Sequence, residues 1–380
     1  MAIYFDSAAT TQLDKKVIEA MTTCMNDEVG NPSSTHSFGR KAKNKVENCR
    51  RDIAAHFGAQ PSEIIFTSCG TESDNMTIKC AIEDLGVTRI ISSEVEHKAV
   101  LSTVKVLCGD TIQIDYVKVN ESGEVNLAHL EELLSTSDKK TLVTLMHANN
   151  EIGTILPIKK VGDLCKTYKA YFHSDTVQTV GHFPINFEEI GVHFAACSAH
   201  KIHGPQGVGF LYLNKKIALK AMLIGGGQER GLRAGTENLI GITGMHKALE
   251  LCYATLNKDK AYILELRNYM KEQLIAQYGD QIRFNGSEKN FLYTVLSISF
   301  PNNENNGMLV FKLDMKGIAV SGGSACNSGA SLGSHVIRGI YDNAEDYVPL
   351  RFSFSKHNTK EDIDICMAEL KELVEITVIV

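Results

Sequence analysis

The chain has 380 residues, 43% hydrophobic and 22% charged, a composition that suits a globular protein large enough for more than one core. Its formal net charge of −6 argues against a direct nucleic-acid binder, because phosphate-backbone affinity needs clustered Lys and Arg. No run approaches the roughly 20 apolar residues of a membrane span, so no membrane association is expected.

The first residues, from Met1 to Asp6, lack a basic stretch followed by a long apolar one. The ten cysteines include no CxxC pair. Neither a disulfide framework nor a metal site is therefore expected, and the setting reads as cytoplasmic with reduced thiols. The one dense basic stretch, residues 40–51, is interrupted by acidic and polar residues and reads as a solvated helix face.

Up to about residue 255, short apolar runs alternate with helical spacing. The first helices are predicted at 13–25, 41–57, 72–82 and 158–168. Strands are predicted at 63–67, 89–92, 111–117, 141–146, 170–173 and 193–197, with another at 207–213 after the Gly204-Pro205 break. This alternation implies βα units and a largely parallel sheet covered on both faces. Two long helical patterns follow, at 237–256 and 258–278. The character then changes to strands at 293–300, 318–320 and 350–353, with a short helix at 306–314. A last helix is expected to open at Asn358, with Glu361 completing a capping box. The expected organisation is a large α/β domain over 13–255 and a small α+β domain over 256–380, the latter joined by residues 1–12.

Ligands of open α/β sheets bind beyond the carboxyl ends of the strands. Ser68-Cys69-Gly70-Thr71-Glu72-Ser73 follows one strand; Gly70 and a capping Thr71 would make a phosphate cradle, or simply a capped turn. His97 follows the next and would open a helix. Asn149-Asn150 offers amide donors or a plain turn. Asp175 ends a buried run, where a carboxylate needs a partner. A protonated ring nitrogen, an arginine and a helix N-terminus would each serve. Lys201 directly follows a buried run; a desolvated lysine is a good amine nucleophile, although it can also reach out to solvent. Together these supply what an aldehyde cofactor needs: a Schiff-base lysine, a carboxylate for the pyridine nitrogen, a phosphate cup and a ring-stacking group. A NAD-binding dehydrogenase is not expected, since no GxGxxG follows the first strand.

The motifs, in order, are Asp6-Ser7-Ala8-Ala9-Thr10-Thr11, Gly30-Asn31-Pro32-Ser33-Ser34, Gly70-Thr71-Glu72-Ser73-Asp74-Asn75, Glu96-His97-Lys98 and Asn149-Asn150-Glu151-Ile152-Gly153. Asp175 with Gln178, Ser198-Ala199-His200-Lys201, Gly225-Gly226-Gly227-Gln228-Glu229-Arg230, Arg233-Ala234-Gly235-Thr236, Gly323-Ser324-Ala325-Cys326 and Arg351-Phe352-Ser353 follow. Across nearly its whole length the chain resembles class V aminotransferase-like enzymes, and within them the cysteine desulfurases of the NifS and IscS type. Ala199 stands where glycine is common, a small change.

The resemblance implies the pyridoxal-phosphate fold type I, with a large domain around a mostly parallel seven-stranded sheet and a smaller α+β domain. It implies pyridoxal 5′-phosphate as cofactor and L-cysteine as substrate. Lys201 would carry the cofactor as a Schiff base, Asp175 would pair with its ring nitrogen, and His97 would stack on the ring and move protons. Gln178 and Asn150 would contact the phenolate oxygen or nearby substrate atoms. Gly70, Thr71, Ser198 and His200 would hold the phosphate. Thr236 would reach the phosphate of a partner subunit's cofactor, which implies a homodimer. Asn31 and Arg351 would bind the substrate carboxylate, for which the arginine fork is suited. Cys326, in a Gly- and Ser-rich segment suited to movement, would take the sulfur as a persulfide. A sulfur-acceptor protein is then a partner, an iron–sulfur scaffold or a thiolation enzyme; the chain ends at Val380, before the tail with which longer IscS-type members dock the scaffold. A selenocysteine lyase, an aminotransferase on the same scaffold and a non-catalytic dimeric scaffold protein stay open as alternatives.

Overall fold

The computed structural model describes residues 2–109, 111–322 and 333–375, so Cys326 lies outside the described residues. The chain begins with β1 (Ile3–Tyr4), α1 (Lys15–Asp27) and α2 (Ser37–His56). There follow β2 (Ile64–Thr67), α3 (Gly70–Glu83), β3 (Arg89–Ser92), α4 (Lys98–Cys108), β4 (Gln113–Tyr116) and α5 (Leu127–Ser135). Next come β5 (Thr141–Thr144), α6 (Ile158–Thr167), β6 (Tyr171–Asp175), α7 (Phe187–Ile190), β7 (Phe194–Ser198) and β8 (Gly209–Leu213). After the long α8 (Leu239–Tyr278) stand β9 (Arg283–Asn285), β10 (Val295–Pro301), α9 (Leu309–Met315) and β11 (Ile318–Ala319). The last described elements are α10 (His335–Ile340), β12 (Tyr347–Ser353) and α11 (Lys360–Leu373).

Seven strands form the central sheet in the order β2-β8-β7-β6-β5-β3-β4. Strands β7, β6, β5, β3 and β4 pair in parallel, and only β8 runs against its neighbours β7 and β2. Strands β2, β3, β5, β7 and β8 are buried at every residue. That is why they read in the sequence as unbroken apolar runs, with helices covering both faces. Because six of the strands point the same way, their carboxyl ends open onto one edge.

The two helices expected across 237–278 are one helix, α8, of 40 residues. No Gly or Pro lies between Tyr253 and Lys260 to interrupt it, and none of those residues opposes helix strongly. Its Met245, Ala248 and Leu249 belong to the core over the large sheet, while Ile263, Leu266, Met270 and Leu274 belong to a second core. That second core lies against the antiparallel sheet β12-β10-β9 and takes in Leu309, Leu313, Ile363 and Leu370. The N-terminal segment joins it: β1 pairs in parallel with β11, and Ile3 and Phe5 are buried there.

The last helix opens one residue later than expected. Thr359 is its N-cap, with Thr359 Oγ1 accepting from the Asp362 amide at 3.2 Å and the Asp362 carboxylate accepting from the Thr359 amide at 2.9 Å. Asn358 is committed elsewhere, accepting from the Ser355 amide at 2.8 Å and donating to the Tyr4 carbonyl at 2.9 Å. Among the described residues no helix is long and apolar enough to cross a membrane.

Candidate active site

A cavity of about 230 Å³ opens at the carboxyl edge of the large sheet. Ten of the residues singled out in the sequence line it: Gly70, Thr71, His97, Asn150, Asp175, Gln178, Ser198, His200, Lys201 and Arg351. They arrive from the ends of β2, β3, β5, β6 and β7 and from β12.

Asp175 is the last residue of β6, and Lys201 ends the tight turn Ala199–Lys201 that leaves the neighbouring parallel strand β7. Asp175 is buried, and one carboxylate oxygen accepts from the Val177 amide at 2.9 Å. Lys201 does not reach out to solvent. Its Nζ donates to the carbonyls of Ala8 and Ala9 at 2.6 and 2.7 Å. The N-terminal segment thus folds over the lysine and positions its amine.

His97 caps α4, with Nδ1 accepting from the Ala99 amide at 3.1 Å. That bond occupies the Nδ1 lone pair, so the neutral ring carries its proton on Nε2. Burial pushes the His97 pKa down; Lys201 and His335 push the same way against the opposing pull of Asp175 and Glu151. The ring is therefore a neutral donor.

At the other end, α3 begins at Gly70 with Cys69 as N-cap. Thr71 is therefore not the cap; it sits in the first turn, where backbone N–H groups have no intrahelical acceptor and favour an anion. Gly70 allows close approach, because a Cβ there would meet Val177 Cγ2 at 2.6 Å. Ser198 Oγ is buried beside it without a hydrogen-bond partner among the described residues. His200 is held near a pKa of about 4 by burial and the adjacent Lys201, and its Nδ1 lies 3.2 Å from Thr10 Oγ1.

Gln178 donates to the Ala8 carbonyl at 3.1 Å. Arg351 is almost wholly buried and donates to Asp6 at 2.7 Å and to the Asn150 carbonyl at 2.8 Å. Two of the expected residues do not line the cavity. Asn31 is exposed, and its side-chain oxygen accepts from the Ser33 amide at 2.9 Å. Thr236 is exposed, at the end of a glycine-rich segment pinned by the buried Arg50–Glu229 pair and by Arg233–Glu72. The cavity also contains Ala8, Ala9, Cys69, Asp74, Met146 and Val177, none of which had been assigned a role. Asp74 could have been found: it is an acidic residue four places after Gly70 on a helix face otherwise buried with Ser73, Met76 and Thr77.

These residues fit pyridoxal phosphate. A hydroxyl with no partner among the described residues and the first turn of α3 stand at one end, a buried carboxylate with no Lys or Arg ion pair among the described residues at the other, and an amine at the side. The aminotransferase class-V family pattern matches residues 3–366. The chain belongs to that family. Among its relatives, the cysteine desulfurase IscS of Dictyoglomus turgidum is 42% identical over 376 residues, 98% of this chain and 94% of that protein. A solved NifS-like protein is 36% identical with a TM-score of 0.90, covering 98% of this chain and 99% of its own. The structure of SspA in complex with cysteine is 31% identical with a TM-score of 0.80, covering 94% of this chain and all of the other. The class-V family members are pyridoxal-phosphate enzymes, and the seven-stranded sheet seen here is theirs.

Proposed function

We propose that this protein is a pyridoxal-phosphate cysteine desulfurase that converts L-cysteine to L-alanine and takes the sulfur onto Cys326. The observation that carries the reading is the placement of Lys201 and Asp175 at the ends of neighbouring parallel strands, in one cavity with His97 and the α3 N-terminus. The 42%-identical desulfurase and the neighbour solved with cysteine support the choice of substrate.

Bound pyridoxal phosphate supplies an electron sink for the charge left when the substrate loses its α-proton. Lys201 moves that proton. Asp175 keeps the ring nitrogen protonated by offering it a buried negative charge. The first turn of α3, with Ser198 and His200, would hold the phosphate, and Gln178 and Asn150 would serve the phenolate side. Arg351 presents its fork to the substrate carboxylate, with Asn31 brought in alongside. His97 covers the ring and donates from Nε2. The Cys326 thiolate attacks the substrate Sγ: an S–S bond forms, the Cβ–Sγ bond breaks, and its electron pair passes to the carbon skeleton, which is protonated to alanine. Thr236 serves the cofactor phosphate of a second subunit in a homodimer. A cysteine persulfide must then pass to an acceptor protein, an iron–sulfur scaffold or a thiolation enzyme. Nine free thiols among the described residues suit a reducing, cytoplasmic setting.

The test is alanine and sulfide production from L-cysteine with a reductant, for the protein and for Cys326→Ala. Equal amounts of both products, lost in the variant, are expected. Persulfide forming on the protein at full rate without Cys326 would remove that residue from the reaction, and no turnover despite bound cofactor would remove cysteine as the substrate.

A further inference from the structure

Beside Asp175 lies a second carboxyl that the reaction above does not use. Asp74, on α3, is 1% exposed. Its Oδ1 stands 3.2 Å from Nε2 of His173, which is wholly buried on β6. His173 Nδ1 in turn lies 2.8 Å from Thr144 Oγ1 on β5. The ligand-type atoms of Asp74, His97 and Asp175 all fall within 4.8 Å of one another. No Lys or Arg ion pair to Asp74 is found among the described residues.

Two carboxylates this close and this buried strongly disfavour carrying two charges. Both line the cavity, but Asp175 receives an amide hydrogen bond, whereas Asp74 is the more deeply buried. Burial, with Asp175 adding, raises the Asp74 pKa well above the carboxylate range, and burial holds His173 at about 4. Both partners of the 3.2 Å contact are then neutral. Neither Asp74 Oδ1 nor His173 Nε2 has a hydrogen-bond partner among the described residues, so the contact is one of packing, and no donor at Oδ1 holds the acid as an anion.

We propose that Asp74 is a positioning residue, a neutral carboxylic acid packed against His173, that keeps this end of the cavity at one negative charge, carried by Asp175. Its purpose rests on the reading of Asp175 as the ring-nitrogen partner; its protonation does not, because it depends on the protein alone. Other titratable groups face the same spot: His97 at the α4 cap, Cys197 on β7 and Lys201 beyond it, and Glu96, which burial with help from Asp175 and Asp74 pushes up to about 8. Any measurement must therefore separate aspartate from glutamate.

Infrared spectra of the cofactor-free protein, grown with isotope-labelled aspartate, make that separation. A protonated-carboxyl band that shifts with the aspartate label is expected at neutral pH, lost in Asp74→Asn and still present after cofactor is added to the unsubstituted protein. Absorbance of the bound cofactor should show an alkaline step in the unsubstituted protein, as Asp74 ionises, and none in Asp74→Asn. Absence of the labelled band, its survival in Asp74→Asn, or its disappearance on cofactor loading would overturn the assignment; the last would give the proton to Asp175. The loading experiment needs no variant, so it decides even if Asp74→Asn does not fold. A failure of the desulfurase reading would look different: no turnover, with the band intact.

Discussion

Arg351 of β12 and Asp6 of the N-terminal segment form a 2.7 Å ion pair in which the arginine side chain is 2% exposed. The same guanidinium holds the Asn150 carbonyl at 2.8 Å. Three distant parts of the chain therefore meet at one cation on the cavity wall. Removing the counter-charge leaves that cation buried and unpaired, at a cost on the order of 3 kcal/mol. Asp6→Asn should lower the denaturant midpoint accordingly. Arg351→Lys keeps the charge and loses the fork. It should raise the KM for L-cysteine more than it lowers kcat; an unchanged KM would take Arg351 out of substrate binding.

Ser198 and Gly70 separate cofactor binding from folding. Ser198 Oγ has no partner among the described residues, so Ser198→Ala should leave the stability of the cofactor-free protein unchanged. A hydrogen bond to a charged phosphate is worth about 1.5–3 kcal/mol, so the variant should release cofactor at least about tenfold more readily. Gly70→Ala, whose Cβ would press on Val177 at 2.6 Å, should weaken cofactor retention as well. Equilibrium dialysis checks both. Full retention in Ser198→Ala would place the phosphate elsewhere.

Lys201→Ala should abolish alanine formation, since proton transfer by a positioned group alone is worth about 10²–10⁴-fold, and the Schiff-base linkage is lost with it. The Ala9 carbonyl would lose its Lys201 donor and the Ala8 carbonyl would keep only Gln178. A second effect is therefore expected: faster proteolysis near residues 8–9 in the cofactor-free variant. Unchanged protection would mean that the N-terminal segment is held without Lys201, by its strand pairing, the Asp6–Arg351 pair and Gln178.

Stability should fall on the acid side. Burial holds His147, His173, His182, His200 and His203 at about 4, against 6.5 for the free side chain. Between those values the unfolded chain binds protons that the folded chain refuses. The stabilisation is complete above about pH 6.5 and is lost as pH falls toward 4. The raised acids Asp74 and Glu96 act in the opposite direction, but two groups do not offset five. Denaturant midpoints should decline from about pH 6.5 to about pH 5, and His182→Gln should flatten the slope. A midpoint that rises across that window contradicts the expectation.

What was legible in the sequence was whatever shows in side-chain pattern. Fully buried strands read as apolar runs, and the polar residue after each run, such as Asp175, His97 or Lys201, marks where the cavity opens. What was not legible depends on backbone or on competition. The Ala8 and Ala9 carbonyls that hold Lys201 leave no side-chain signature. Thr71 and Asn358 are good capping residues by type, but Cys69 and Thr359 occupy the cap positions because the chain turns there and Asn358 is already bonded to Tyr4. Asn31 and Thr236 came only from the resemblance, and within a single chain neither meets the cavity.

Helix α8, at 40 residues, is about 60 Å long. One end lies in the core over the large sheet and the other in the core over the antiparallel sheet. Neither core can come apart without stripping an apolar face from the helix that the other needs. The two interiors should therefore melt in a single transition, and a proline placed near Asn257 would be the change that lets each half unfold on its own.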